Sequence, residues 1–214
     1  MFLKIFIKKT TFLLSFLVLI SPIFSQTADA RFYEKLLETY AIPGLSIGLI
    51  EDGQVKYLHH AGVRANDTMD PIDAKTISGA ASLSKPVFAY AVLQLEKQGR
   101  IDLDKPVYQY LENLDLANDP RYKQITARML LSHSSGLPNW RNGALRLLHD
   151  PGSKFQYSGE GYVYLAKVVE HIMNKPINEL MKSLVFEPLG MDHSSYIWEK
   201  RFETNFASPH DYTG

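Results

Sequence analysis

Ser82-Leu83-Ser84-Lys85, followed by Pro86 and the apolar run Val87-Phe88-Ala89-Tyr90-Ala91-Val92-Leu93, is the stretch on which the fold turns. A serine and a lysine three apart at the mouth of a helix lie on one face, because residues i and i+3 are surface neighbours. The lysine is then placed to take the proton from a hydroxyl that is a poor nucleophile by itself. Pro86 fits the first helical turn, where a missing N–H is tolerated. Ser82 therefore falls at or just before the helix N-terminus, where unpaired N–H groups and the dipole favour negative charge. The helix is apolar nearly all round, so burial is expected, and Gly99 stops it after about Gln98. The spacing alone is common. Roughly one Ser-x-x-Lys arises by chance in a chain of this length, and a helix cap followed by a surface lysine has the same pattern.

Working outward, the first 25 residues read as a secretory signal. Lys4, Lys8 and Lys9 form a basic start, residues 12–20 an apolar centre, and Ser21-Pro22 opens the exit region. The apolar stretch is short for crossing a bilayer. Cleavage is expected after Ser25 or, given Ala28-Asp29-Ala30, after Ala30. Residues 26–214 would then be periplasmic or secreted, with no stable membrane anchor once the signal is removed.

Residues 31–40 read as a short amphipathic helix with Phe32, Leu36, Leu37 and Tyr40 on one side. Residues 44–50 and 55–63 read as strands joined at Asp52-Gly53. Beyond Gly99 the chain is expected to be mainly helical, with stops at Gly136-Leu137-Pro138, Asp150-Pro151-Gly152 and Pro188-Leu189-Gly190. Residues 162–174 form the clearest later helix. Helix, hairpin and helical block in that order predict an α+β fold, not a βαβ series.

Composition narrows the chemistry. The 214 residues carry 23 basic and 23 acidic side chains, so no nucleic-acid footprint is present. Cysteine is absent, which removes disulfides, thiol catalysis and zinc–thiolate sites. The seven histidines form no metal signature; no metal and no cofactor are expected. Gly44-Leu45-Ser46-Ile47-Gly48 matches the Gly-x-Ser-x-Gly pattern, but that motif needs a sharp strand-to-helix turn after the serine. Here the apolar run continues into Asp52-Gly53, so Ser46 reads as a strand residue. His133 could orient a catalytic group, although a histidine bonded into a helix-to-loop junction explains it more simply. Tyr157, in Tyr157-Ser158-Gly159, can relay protons if a neighbouring cation stabilises its phenolate, and Lys85 is the candidate.

The ordered combination is more specific than any part. Ser82-Leu83-Ser84-Lys85, Gln98-Gly99-Arg100-Ile101-Asp102-Leu103, Leu130-Leu131-Ser132-His133-Ser134-Ser135-Gly136-Leu137-Pro138, Phe155-Gln156-Tyr157-Ser158-Gly159 and Phe186-Glu187-Pro188-Leu189-Gly190-Met191 follow one another as in a single family. The chain resembles the serine β-lactamase-related, penicillin-binding-protein-like family, which includes class C β-lactamases, D-alanyl-D-alanine carboxypeptidases and β-lactamase-fold esterases.

That resemblance implies a helical block packed on an antiparallel sheet and a nucleophile at Ser82, with Lys85 and Tyr157 moving protons. It implies substrate contact at position 159, where the family has asparagine and this chain has Gly159, a departure that argues against strong β-lactamase activity. The family's Lys-Thr-Gly or His-x-Gly strand, which supplies an oxyanion-hole N–H, is not found after Tyr157. Tyr212-Thr213-Gly214 lacks the basic residue and reads as loop. The expectation is a β-lactamase-like fold whose C-terminal strands are missing from this chain, as in a truncated product or an incomplete gene model, unless a partner chain completes the sheet. The expected activity is hydrolysis of an amide or ester carbonyl in a D-alanyl peptide, a β-lactam or a small ester. The substrate is then a small molecule or peptide, peptidoglycan-derived peptides among them. The competing expectation is an inactive homologue that binds peptidoglycan or a protein partner.

Overall fold

The computed structural model describes residues 30–210. The expected signal segment and Tyr212-Thr213-Gly214 lie outside them. Helix α1 (Ala30–Tyr40) leads into an antiparallel hairpin of β1 (Gly44–Glu51) and β2 (Gln54–Gly62), with Ser46 paired to His60 and Gly48 to Leu58. Asp52 and Gly53 both have positive φ (52° and 70°), as a two-residue hairpin turn of this hand requires. A bulge between Leu49 and Ile50 sits beside that turn. Ser46 lies within β1 and its hydroxyl meets His60 Nδ1 at 3.0 Å, so the strand reading holds and no nucleophile elbow forms.

The packing face of α1 differs from expectation. Phe32 and Tyr40 are 57% and 67% exposed, whereas Tyr33 is buried and stacks on His59 of β2 at 5.0 Å. Leu36 and Leu37 of the expected stripe are half-buried, so the face differs only at Phe32 and Tyr40, because the partner is the aromatic face of a strand and Tyr33 fits it.

Helix α2 (Ser84–Lys97) begins where Pro86 predicts, and Gly99 follows its end at φ 68°. Its buried face is Phe88, Ala91, Val92 and Leu95; Tyr90 and Leu93 remain largely open. Burial all round therefore does not hold among the described residues. Helix α3 is short (Ala127–Leu131), α4 is long (Gly159–Met173), and α5 (Ile177–Met181) runs into a π-helical turn, Lys182–Phe186. One core joins α2 to α4 and α5 through Val92, Leu95, Leu165, Val168, Leu180 and Val185.

The expectation of a mainly helical chain beyond Gly99 needs correction. Residues 99–158 hold one five-residue helix, several 3₁₀ turns and loops. Pro106, Pro120, Pro138 and Pro151 interrupt the region, and Asn113 and Asp119 cap their own turns by accepting from Asp115 and Arg121 N–H. Helix α4 starts earlier than predicted because Ser158 caps it, accepting the Gly161 N–H at 2.8 Å.

Leu165 has no exposed surface and lies at the centre of the α2–α4 core. Leu165→Ala should destabilise the fold by about 2–5 kcal/mol, through lost transfer energy plus a cavity. The midpoint of urea unfolding measures this.

Candidate active site

The chain enters the site with a twist. Ala81 is held at φ 43°, in the left-handed region that non-glycine residues rarely occupy, at a cost of about 1–3 kcal/mol. The Ser84 hydroxyl donates to Ala81 O at 2.6 Å and stabilises that turn. Tyr196, from the segment after the π-helical turn, donates its hydroxyl to Ser84 O at 2.7 Å. Burial pushes the Tyr196 phenol up to about 12, so this anchor stays protonated across the working range.

Ser82 and Lys85 then meet as their spacing predicts. Lys85 Nζ donates to Ser82 Oγ at 3.0 Å. Tyr157 arrives from the loop before α4, with Lys85 Nζ 5.0 Å from its ring centroid. Hydrogen bonding from Lys85, and then from Ser82, holds the Tyr157 phenol below its ordinary value of 10.0, because both stabilise the phenolate. Three groups from two distant stretches converge on one point. Ser82 is exposed, so its oxygen is open to a substrate.

Tyr157 is fixed by what flanks it. The Ser158 hydroxyl donates to Pro138 O at 2.8 Å, and Gly159 N–H donates to Asn139 Oδ1 and Asn139 O. Glu160 is buried and accepts from Arg141 Nε at 3.1 Å and Nη2 at 3.0 Å. Arg141 keeps the Glu160 carboxyl below the usual range, so the clamp is intact above about pH 4.5 and weakens as acid protonates it. The loop carrying Asn139 and Trp140 is thereby tied to the first turn of α4.

That tie decides what happens at Gly159. A Cβ there would lie 2.6 Å from Asn139 O and 2.9 Å from the Trp140 ring. The space that an asparagine side chain would need is occupied by backbone and indole. The Gly159 N–H is also spent on Asn139, which leaves the residue as a wall and not a donor. Gly159→Asn should displace Trp140 and destabilise the protein by about 1–3 kcal/mol. Tryptophan emission, with Trp140 63% exposed, and the thermal midpoint report the two effects.

Ser82 and Lys85 open at one end of a cleft of about 400 Å³, walled by Phe88, Trp140, Tyr162, Val163 and Ile177. Trp140 and Ile177 carry no signal in the sequence pattern; only the chain path brings them here. A neighbouring groove of about 370 Å³, lined by Leu83, Trp198, Phe202 and Phe206, reaches Ala81 and Ser84 but not Ser82. Among the described residues, no group of three or more histidines and carboxylates converges as a metal site would need.

The arrangement can activate a hydroxyl and stabilise the phenolate that takes its proton. The beta-lactamase family model matches residues 30–214. Protein flp of Staphylococcus aureus (strain COL) is 26% identical over 209 residues, covering 89% of this chain and 41% of flp. The octameric penicillin-binding protein homologue from Pyrococcus abyssi is 28% identical with a TM-score of 0.70, covering 83% of this chain and 46% of that one. A D-alanine carboxypeptidase from Burkholderia cenocepacia, 24% identical at a TM-score of 0.72, has the same fold over 86% of this chain and 53% of its own. The chain spans about two-fifths of the length of this curated relative and about half that of the solved ones.

Proposed function

This chain belongs to the beta-lactamase family, and on that premise we propose that it is a serine hydrolase working through an acyl-enzyme on Ser82. The observation that carries the reading is the 3.0 Å contact between Lys85 Nζ and Ser82 Oγ, with Tyr157 beside both. Family and fold neighbours that are serine hydrolases support it.

Ser82 Oγ attacks the substrate carbonyl while its proton passes to the Tyr157 oxygen, whose anionic form the Lys85 ammonium stabilises. The tetrahedral oxyanion faces the N–H of Ser82 at the helix mouth, where the dipole favours negative charge. Collapse breaks the bond to the leaving alkoxide or amine, which takes the proton back from Tyr157. Water then attacks the acyl-enzyme and gives its proton to the same tyrosine; the acyl bond to Ser82 Oγ breaks, Tyr157 returns the proton to that oxygen, and the acid leaves.

Gly159 and Trp140 turn the substrate choice towards esters or peptides and away from β-lactams. The wall at residue 159 offers no side-chain amide for an acylamino group, while Phe88, Trp140, Val163 and Ile177 favour an apolar acyl chain. The basic, apolar and small-residue order of the first 25 residues supports a site of action outside the cytoplasm.

Pre-steady-state hydrolysis of a p-nitrophenyl ester tests the mechanism, beside labelling with a fluorescent penicillin. A burst of nitrophenol matching the enzyme concentration, followed by slower turnover, is expected. No burst and no label with either reagent would remove the acyl-enzyme reading.

A further inference from the structure

The histidine beside Tyr157 has no part in the proton transfers above, yet it holds the Tyr157 loop through both its backbone carbonyl and its ring. We propose that His133 is a positioning residue: unprotonated at Nδ1 it holds Tyr157 against Lys85 and Ser82, and its protonation frees Tyr157, so that His133 sets the acid limb of acylation. The inference rests on the acyl-enzyme reading for its rate effect, but not for its structural effect.

His133 follows α3 and sits at φ 58°. Its carbonyl accepts the Gln156 N–H at 2.6 Å, and its Nδ1 accepts the Ser158 N–H at 3.0 Å. Those two donors flank Tyr157 on either side, so one residue grips the loop through both backbone and ring. The imidazole also lies 4.4 Å from the Tyr157 ring, tilted by 35°. Tyr162 packs on it at 5.1 Å and Phe155 at 5.8 Å.

A backbone N–H can bond Nδ1 only when that nitrogen carries no proton, which fixes the Nε2–H tautomer. The groups facing the ring are Tyr157 and Phe155 from the loop, Tyr162 from α4 and Lys85 from α2. Burial first, and the Lys85 charge second, hold the imidazole below its ordinary value of 6.5. At neutral pH the grip is therefore closed. Protonation would set an N–H of His133 against the N–H of Ser158 and add a second positive charge near Lys85. Both consequences push the Tyr157 loop out of register.

A histidine whose folded value is lowered is favoured neutral in the fold, so the arrangement is complete at pH 6.5 and above, and is lost only as pH falls through the lowered folded value.

His133→Asn separates grip from charge. Its side-chain carbonyl can still accept the Ser158 N–H, and asparagine tolerates positive φ, but it cannot be protonated. The reading is the second-order rate of fluorophosphonate labelling between pH 4.5 and 8, with the full chain. The variant should label within about threefold of wild type at pH 7.5, and its acid limb should move down by at least about one pH unit. An unchanged acid limb in His133→Asn overturns the proposal. A purely structural histidine would lower the thermal midpoint and leave the pH profile in place.

A second measurement needs no activity. Ring-proton NMR shifts of Tyr157, assigned by comparison with Tyr157→Phe, should move with the His133 titration in wild type and stay flat in His133→Asn. Shifts that ignore the His133 titration overturn the proposal. A wild-type protein that takes no label at any pH would instead sink the hydrolase reading, and the NMR titration would still decide the role of His133.

Discussion

Ser82→Ala is expected to abolish turnover of a p-nitrophenyl ester, by at least about 10⁴-fold, because no other group can form the covalent intermediate. The fold should hardly notice. Ser82 is exposed and its hydroxyl meets the Lys85 amine and the Tyr157 phenol at the open mouth of the cleft, so stability should change by less than about 0.5 kcal/mol. This pairing of a large kinetic loss with an unchanged unfolding midpoint separates chemistry from damage. It also separates the enzyme from a binding protein built on the same frame. A binding protein would keep its affinity for peptidoglycan fragments in Ser82→Ala and would show no turnover in the parent chain.

Lys85→Met should cost about 10³- to 10⁴-fold in the acylation rate, by removing both a proton-transfer partner and a stabilising charge. Methionine keeps the length of the stem, so the effect is electrostatic. Lys85 is the first cause of the lowered Tyr157 phenol, and its removal should let Tyr157 return towards 10.0. The difference absorbance near 295 nm between Lys85→Met and its Tyr157→Phe double variant follows that titration. Because Lys85 acts largely through Tyr157, the two losses should not add. The double variant should be within about threefold of the worse single one. Fully multiplicative losses would mean that the two residues serve separate steps.

These expectations rest on features that differ in how far the sequence exposes them. Local rules reached the nucleophile helix: Pro86 in its first turn, Gly99 past its end, and a serine and lysine three apart. The hairpin was equally readable, since Asp52-Gly53 supplies the two positive φ values that its turn requires. Helix α1 is legible together with Leu36 and Leu37 on its packing face, whereas the fit of Tyr33 to His59 is a tertiary choice. The stretch between Gly99 and Ser158 is less helical than its sequence pattern predicts. Its apolar residues do reach the core, but as anchors on loops whose order comes from asparagine and aspartate caps.

The site followed the same division. Ser82 lies in the 3₁₀ turn Ala81–Leu83 that leads into α2 and Lys85 in the first turn of α2, so their meeting is a matter of spacing. Tyr157 needed the order of several motifs to be noticed at all. Trp140 over Gly159 and the two-sided hold of His133 on Tyr157 join residues about 20 positions apart, through backbone hydrogen bonds that no side-chain pattern announces. The absent amide at position 159 was visible as a substitution. That an indole fills its space was not.

In the proposed mechanism a carbonyl substrate becomes bonded to Ser82 Oγ under the control of Lys85 and Tyr157. Peptide-mapped mass spectrometry of the protein after a short exposure to a fluorophosphonate or an activated ester measures this most directly. One adduct is expected, on the peptide containing Ser82, lost in Ser82→Ala and slowed in Lys85→Met and Tyr157→Phe. An adduct on Ser46 or another residue, or labelling of Ser82 at the same rate in all three proteins that retain it, would rule this mechanism out.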